Sequence, residues 1–331
     1  MSQKNELSLA RIEDCTLGVA ASLPDIPALN RLVTCVASAG GKDKFLAIVQ
    51  YTLKIVAQFL AWRAQLQHSA GRRPAPTSVT APSLTKLAGI ISDARMVHNI
   101  TGTLSMLRWL KLIESTPYKT RRLRTIERLQ GWSILLYFPI EHITYLIGHE
   151  VVPAQWSFSL PFASKGAGEK ASPWTFNVPV GPLVKFSMAL WGLYTALQLA
   201  HYREDLKGLA QDEANISKTK TPATKQKLAE IRRKRNLIMG ETVGQLCNLP
   251  LAIHWGTGST LIKSDLVVNL LNLTANLAGF RSIWISNEPH AKTADEAPAT
   301  ISEKSAIKSQ DTVTDPDITA PLGLDAGLDE I

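Results

Sequence analysis

DKFLAIVQYTLKIVAQFLAWRAQL, residues 43–66, decides how the fold is read. Projected at about 100° per residue, Phe45, Ile48, Val49, Val56, Phe59 and Leu60 gather on one broad face, and Gln50, Lys54, Gln58 and Gln65 fall opposite. That stripe predicts an amphipathic helix, with Asp43 placed to cap its start. Two settings suit it. One is packing on a soluble core. The other is lying in a lipid interface, with the apolar face in the acyl boundary and Lys54 and the glutamines at the head groups.

Working outward, Pro24, Pro27 and the Gly40-Gly41 pair punctuate residues 1–42, read as a partly disordered N-terminal segment. Downstream, SAGRRPAPTSVTAPS (69–83) is a Pro/Ser/Ala linker, after which Ser83 starts a helix running to about Leu112. That helix is apolar on most sides, so it is buried or membrane-lying. A basic stretch with Arg121, Arg122, Arg124 and Arg128 leads into GWSILLYFPIEHITYLIG (131–148). Pro139, Glu141 and His142 sit in the middle of this run. A charge at the bilayer centre costs about 2.5–3.5 kcal/mol on insertion scales, so the segment crosses only beside a partner helix, or lies in the interface.

Residues 151–178 read as a loop, and 182–200 as a second apolar run with Lys185 and Arg203 able to snorkel at its ends. A polar stretch, 203–224, precedes the cluster Arg232, Arg233, Lys234 and Arg235, which abuts an apolar helix ending near Pro250. By length, 265–285 is the best single spanning candidate. Its Asn269, Asn272 and Asn276 share one helical stripe. In lipid that stripe faces another helix and hydrogen-bonds across to it, whereas in a soluble protein it faces water.

Charge is divided unevenly along the chain. Residues 1–285 carry 33 basic and 18 acidic residues, a net +15, and residues 286–331 carry 3 basic and 10 acidic, a net −7. A basic body suits anionic head groups or nucleic acid. The aromatic residues lie inside apolar runs, not interleaved with the cations, which favours a membrane interface and argues against nucleic acid. The acidic tail, poor in aromatics, reads as disordered. Cys15, Cys35 and Cys247 form neither a disulfide framework nor a CxxC pair.

Catalytic signals are weak. Gly256, Gly258 and Gly40-Gly41-Lys42 lack the spacing of a phosphate loop. His142 and His149, with Glu141 and Glu150 beside them, do not form HExxH, and Pro153 ends the helix there. They read as helix-pairing or interfacial residues. No GxSxG element accompanies a serine. The expectation is therefore no enzyme activity, no catalytic residues, no metal and no cofactor.

The order of elements resembles the peroxin-11 family. Residues 43–51, DKFLAIVQY, are similar to the family's opening helix with its Gln-Tyr pair. Residues 92–102, SDARMVHNITG, resemble its small-residue/Arg motif followed by a glycine and an apolar run, with Asn99 where the family often has Arg. Residues 139–142, PIEH, resemble its apolar segment with an embedded Pro and Glu, and 189–203 its Trp-containing helix. Residues 248–255, NLPLAIHW, are similar to its Asp-Leu-Pro-Leu-Ala segment, followed by a glycine-containing last helix ending in Trp284. The resemblance covers about 43–286, and the long linkers and acidic tail resemble a fungal or glycosomal-type member.

The resemblance implies an all-α, membrane-associated helical bundle with amphipathic helices, one to three transmembrane helices and disordered termini. The helical membrane domain would span 43–286 and the acidic tail 287–331. It implies residence in the peroxisomal membrane, elongation of that membrane ahead of fission, and self-association into homo-oligomers. It also implies contact with fission machinery and with a membrane-protein import receptor that recognises Arg232, Arg233, Lys234 and Arg235. Phe45, Ile48, Val49, Val56, Phe59 and Leu60 are the expected membrane-binding residues. The alternative is a peroxisomal channel for small metabolites lined by Glu141, His142 and the asparagine stripe. The apolar runs predict that the chain stays in the membrane pellet after alkaline carbonate extraction. Release into the supernatant overturns the membrane reading.

Overall fold

The computed structural model describes residues 24–100, 102–118, 120–158, 174–216 and 222–287. The first 23 residues and the acidic tail lie outside the described residues, and so does the disorder expected of them. Among the described residues, eight helices and one antiparallel strand pair follow in order. They are α1 (Pro27–Ala37), α2 (Ala39–Ser69), α3 (Thr80–Asn99), α4 (Gly102–Ser115), α5 (Arg121–Gly148), β1 (Gln155–Phe158), β2 (Trp174–Asn177), α6 (Val180–Ile216), α7 (Pro222–Gly256) and α8 (Asp265–Ser286).

Local signals explain most boundaries. Pro27 opens α1, where its missing N–H is no loss. Ser38 caps α2 by accepting the Gly41 amide, so the helix starts before Asp43, which is left free for another role. The single helix expected over 83–112 is two, broken near Ile100. Gly102 then starts α4 against Phe138 of α5, 3.5 Å from where its Cβ would stand. Gly131 lets Leu110 of α4 press onto α5, since a Cβ there would lie 2.5 Å from Leu110 Cδ2. The polar 203–216 stretch continues α6, and the expected loop at 151–178 contains β1 and β2, paired antiparallel with Trp156 opposite Phe176.

Helices pack side by side in the order α3, α2, α8, α7, α6, α5, α4. The last helix is thus inserted between the second and the seventh. An apolar core joins Trp109 and Ile113 of α4, Tyr137 and Phe138 of α5, Met188 and Trp191 of α6, Leu251 and Trp255 of α7, and Val268 of α8. Trp191 stacks on Trp255 with ring centroids 5.7 Å apart. The C-terminal carbonyls of α8 are held from both sides. Arg31 donates to Trp284 O at 2.8 Å and Arg233 to Ile285 O at 2.8 Å, cations on the negative end of the helix dipole.

Much of the remaining interior is polar. Arg95 of α3 grips Asp43 of α2 through two bonds, Nε to Oδ1 at 2.9 Å and Nη2 to Oδ2 at 3.3 Å, and donates Nη1 to Gln50 Oε1 at 2.7 Å. Both charged side chains are at most 3% exposed. Glu141 of α5 lies within electrostatic range of the pair and accepts the Tyr137 hydroxyl. Pro139 leaves α5 continuous, with the His142 ring bonded to Phe138 O. These groups, awkward for a lone span, are covered by protein.

Lys44, the neighbour of Asp43, turns the other way. Its chain crosses Gly279 of α8, where a Cβ would sit 2.6 Å from both Cε and Nζ. Beyond it lies Glu241 of α7, in reach of the Lys44 charge and bonded to Ser282 and Tyr202. The asparagine stripe is also internal, with Asn269, Asn272 and Asn276 at most 4% exposed. Asn272 and Asn276 donate to carbonyls of their own helix, Val268 O and Asn272 O. The stripe therefore faces protein, and two of its three amides bond along α8.

Arg95→Ala strands Asp43 in the interior and is expected to cost about 3–5 kcal/mol. Asp43→Ala/Arg95→Ala together should cost less than the single change. Thermal unfolding of the detergent-solubilised chain measures both, and a double variant worse than Arg95→Ala contradicts the pairing. Gly279→Leu should displace Lys44 from Glu241 and lower the unfolding temperature. Gly208→Ala, with no atom within 4 Å of the added Cβ, should match the parent or exceed it.

Candidate functional site

The outer surface of the bundle carries many large apolar residues. On α2, Val56, Phe59, Trp62 and Leu66 are all more than 40% exposed, and Phe59 and Trp62 pack their rings 5.9 Å apart. Leu129, Trp132, Leu136 and Ile143 do the same on α5, and Met239, Val243, Leu246 and Ile253 on α7. Water-soluble domains bury such residues and leave charges outside. Here, beside the apolar core, Asp43, Lys44, Arg95, Glu127 and Glu141 are inside, and many large apolar side chains are outside. That arrangement suits a hydrocarbon surround, where exposed leucines cost nothing and charges need protein partners.

Among the described residues, two helices are long and apolar enough to cross a membrane, α2 and α6. The 31 residues of α2 extend about 46 Å, more than the roughly 30 Å of a hydrocarbon core. The helix read as interfacial thus also has the length of a span. α8, favoured by length from the sequence, does not qualify, because its three asparagines and Arg281 dilute its apolar character.

The structure divides the expected membrane-binding residues. Val56 and Phe59 are exposed, whereas Ile48, Val49 and Leu60 are half-buried. Phe45 turns inward to Phe280 of α8, ring centroids 6.1 Å apart. Gln50, expected at the head groups, is fully buried on Arg95. The outward face is accordingly centred on 56–66 and includes Trp62 and Leu66. A helical wheel shows two faces but not where α3 and α8 dock, so these two residues had no signal in the stripe alone.

Arg232, Arg233, Lys234 and Arg235 spread around α7 instead of forming one patch. Arg233 holds the end of α8, Lys234 pairs with Glu230 at 2.9 Å, and Arg235 pairs with Glu213 of α6. Hydrogen bonding from Lys234 keeps the exposed Glu230 carboxyl below its usual range. Arg232 makes no ion pair among the described residues. His142 and His149 are separated in role, the first buried on Phe138 O and the second near Asp93 at 3.7 Å. No group of three or more His, Cys, Asp or Glu among the described residues is placed to hold a metal ion.

No curated protein and no solved structure matches the chain. Residues 29–165 match the family model Peroxisomal biogenesis factor 11 (PEX11), a segment running from α1 through β1. It contains the Asp43–Arg95 pair and the whole exposed face of α2, while α6 to α8 lie beyond it. The family consists of non-enzymatic proteins of the peroxisomal membrane that act in peroxisome biogenesis and proliferation. The large apolar side chains displayed on the outside of the helices suit a membrane setting, and residues 29–165, about two fifths of the chain, are similar in sequence to the PEX11 family of peroxisomal membrane proteins.

Proposed function

We propose that the protein elongates the peroxisomal membrane ahead of fission, with α2 as the element that deforms the bilayer. One observation supports this above others: Val56, Phe59, Trp62 and Leu66 form an exposed apolar strip on a helix whose other side is anchored by the Asp43–Arg95 pair. A helix held by the bundle and sunk into one leaflet spreads that leaflet relative to the other, which bends the membrane. Fixing α2 to the rest of the chain transmits the deformation to the whole molecule. Self-association would multiply it along a tubule, and fission machinery would act on the neck so formed. In the same reading, Arg232, Arg233, Lys234 and Arg235 beside an apolar helix serve as the address for the membrane-protein import receptor.

The alternative, a channel for small metabolites, requires Glu141, His142 and the asparagine stripe to line a water path. They are packed between helices, with the stripe bonded to its own backbone. No observation favours that reading over the first. Conductance of the purified chain in a planar bilayer would revive it.

Each large apolar side chain withdrawn from water contributes roughly 1.5–3 kcal/mol to lipid affinity. Val56→Asp/Phe59→Asp is therefore expected to abolish tubulation of anionic liposomes by the reconstituted chain and to leave cells with fewer, larger peroxisomes. Because both positions face outward, thermal stability in detergent should stay close to that of the parent. Undiminished tubulation by the double variant removes α2 from the mechanism.

A further inference from the structure

One stripe of α7 changes character along its length. From the Pro250 end, Leu246, Val243 and Met239 are exposed and apolar. One turn further, the same side of the helix presents Asn236, Arg232 and Lys225. α8 changes at the same level, because Leu266, Leu270 and Leu277 lead to Arg281 on one side of that helix. Where the two stripes turn polar, the helices line an open cavity of about 510 Å³ bordered by Lys225, Arg232, Arg233, Asn236, Arg281 and Ile285. Leu228 and Ala229 complete the wall.

The cations in this cavity are arranged unequally. Arg233 is committed to Ile285 O. Lys225, Arg232 and Arg281 make no ion pair among the described residues, and no carboxylate lines the cavity. Arg281 is held in place by a backbone feature. It lies across Gly240 of α7, where a Cβ would stand 3.1 Å from Nη1. A Cβ at 240 would make the guanidinium give by a few tenths of an ångström, and a leucine there would displace it further. Three gathered cations repel one another unless an anion sits between them, and guanidinium pairs match the oxygens of a phosphate.

We propose that this cavity holds the phosphate of an anionic phospholipid head group, gripped by Arg232, Arg281 and Lys225, with the acyl chains lying along Met239, Val243, Leu246 and Leu277. The phosphate chemistry alone would also suit a free anion in solution. The apolar stripes that run to the rim on both helices favour the lipid, since a soluble ion has no use for them. Arg31 over the Trp284 ring, 4.7 Å from its centroid, places a cation–aromatic pair of interfacial type on the neighbouring turn of α8. The site is separate from the outward face of α2. It requires only that the bundle sit in lipid, not that the chain bend it.

The test is lipid retention by the full chain purified in detergent, read by native mass spectrometry after exposure to phosphatidic acid, phosphatidylcholine or inorganic phosphate. Phosphatidic acid should be retained over phosphatidylcholine. Arg281→Gln and Arg232→Gln should each weaken retention roughly tenfold or more, and Gly240→Leu should do so with every cation still present. Arg63→Gln, which removes the same charge outside the cavity, should retain lipid like the parent. So should Val56→Asp/Phe59→Asp, which separates this site from the bending role. Two results overturn the proposal. One is retention unchanged in Arg281→Gln, Arg232→Gln and Gly240→Leu. The other is inorganic phosphate displacing the lipid completely at equal concentration, which would make the cavity a soluble-anion site.

Discussion

A carboxylate and a guanidinium that cannot reach water fix the geometry of this bundle. Asp43 and Arg95 are 52 residues apart and almost completely enclosed, and each is intolerable there without the other. The two-bond grip sets the register between α2 and α3, and Gln50, one and a half to two turns along, joins the same guanidinium. Once that side of α2 is committed, the opposite side is committed too. Lys44 is sent toward Gly279 and Glu241, and Val56, Phe59, Trp62 and Leu66 are left facing outward. A buried ion pair contributes little net stability but is costly to disrupt, which makes it a device for register more than for strength.

The same logic recurs at the glycines. Gly131, Gly240 and Gly279 are helical positions where the absent side chain is filled by a neighbour: Leu110, Arg281 and Lys44 respectively. Two of the three admit cations. In an interior where charges must travel between helices to meet their partners, small residues are the passages. This is why α8, which carries Gly279 and faces Gly240, can lie between α2 and α7.

Helix content and membrane character were legible in the sequence, because long apolar runs at helical period carry both. The Ser38 cap and the break near Ile100 were less so. Asp43 looks like a cap until its partner is known, and the polar Asn99 and Gly102 sit inside an otherwise unbroken apolar pattern. The sequence divides α2 into two faces without orienting them, since Gln50 looks solvent-facing until Arg95 is placed beside it. The asparagine stripe of α8 was seen to face either protein or water. That the amides of Asn272 and Asn276 bond back to Val268 O and Asn272 O follows from local reach, which competes with cross-helix partners.

The insertion of α8 between α2 and α7 also constrains the order in which the protein can be made. Lys44 rests on Gly279, Cys35 lies beside Ile283 O, and Arg31 is bonded to Trp284 O, so the N-terminal helices finish against the last ones synthesised. As the ribosome releases α1 and α2, α3 follows closely, but their partners in α8 are more than two hundred residues away in the unmade chain. The apolar strip of α2 and the charge of Lys44 then wait together in the nascent polypeptide, suited neither to cytosol nor to lipid. Such a chain benefits from being held by a chaperone until translation ends, and from entering the bilayer as a whole.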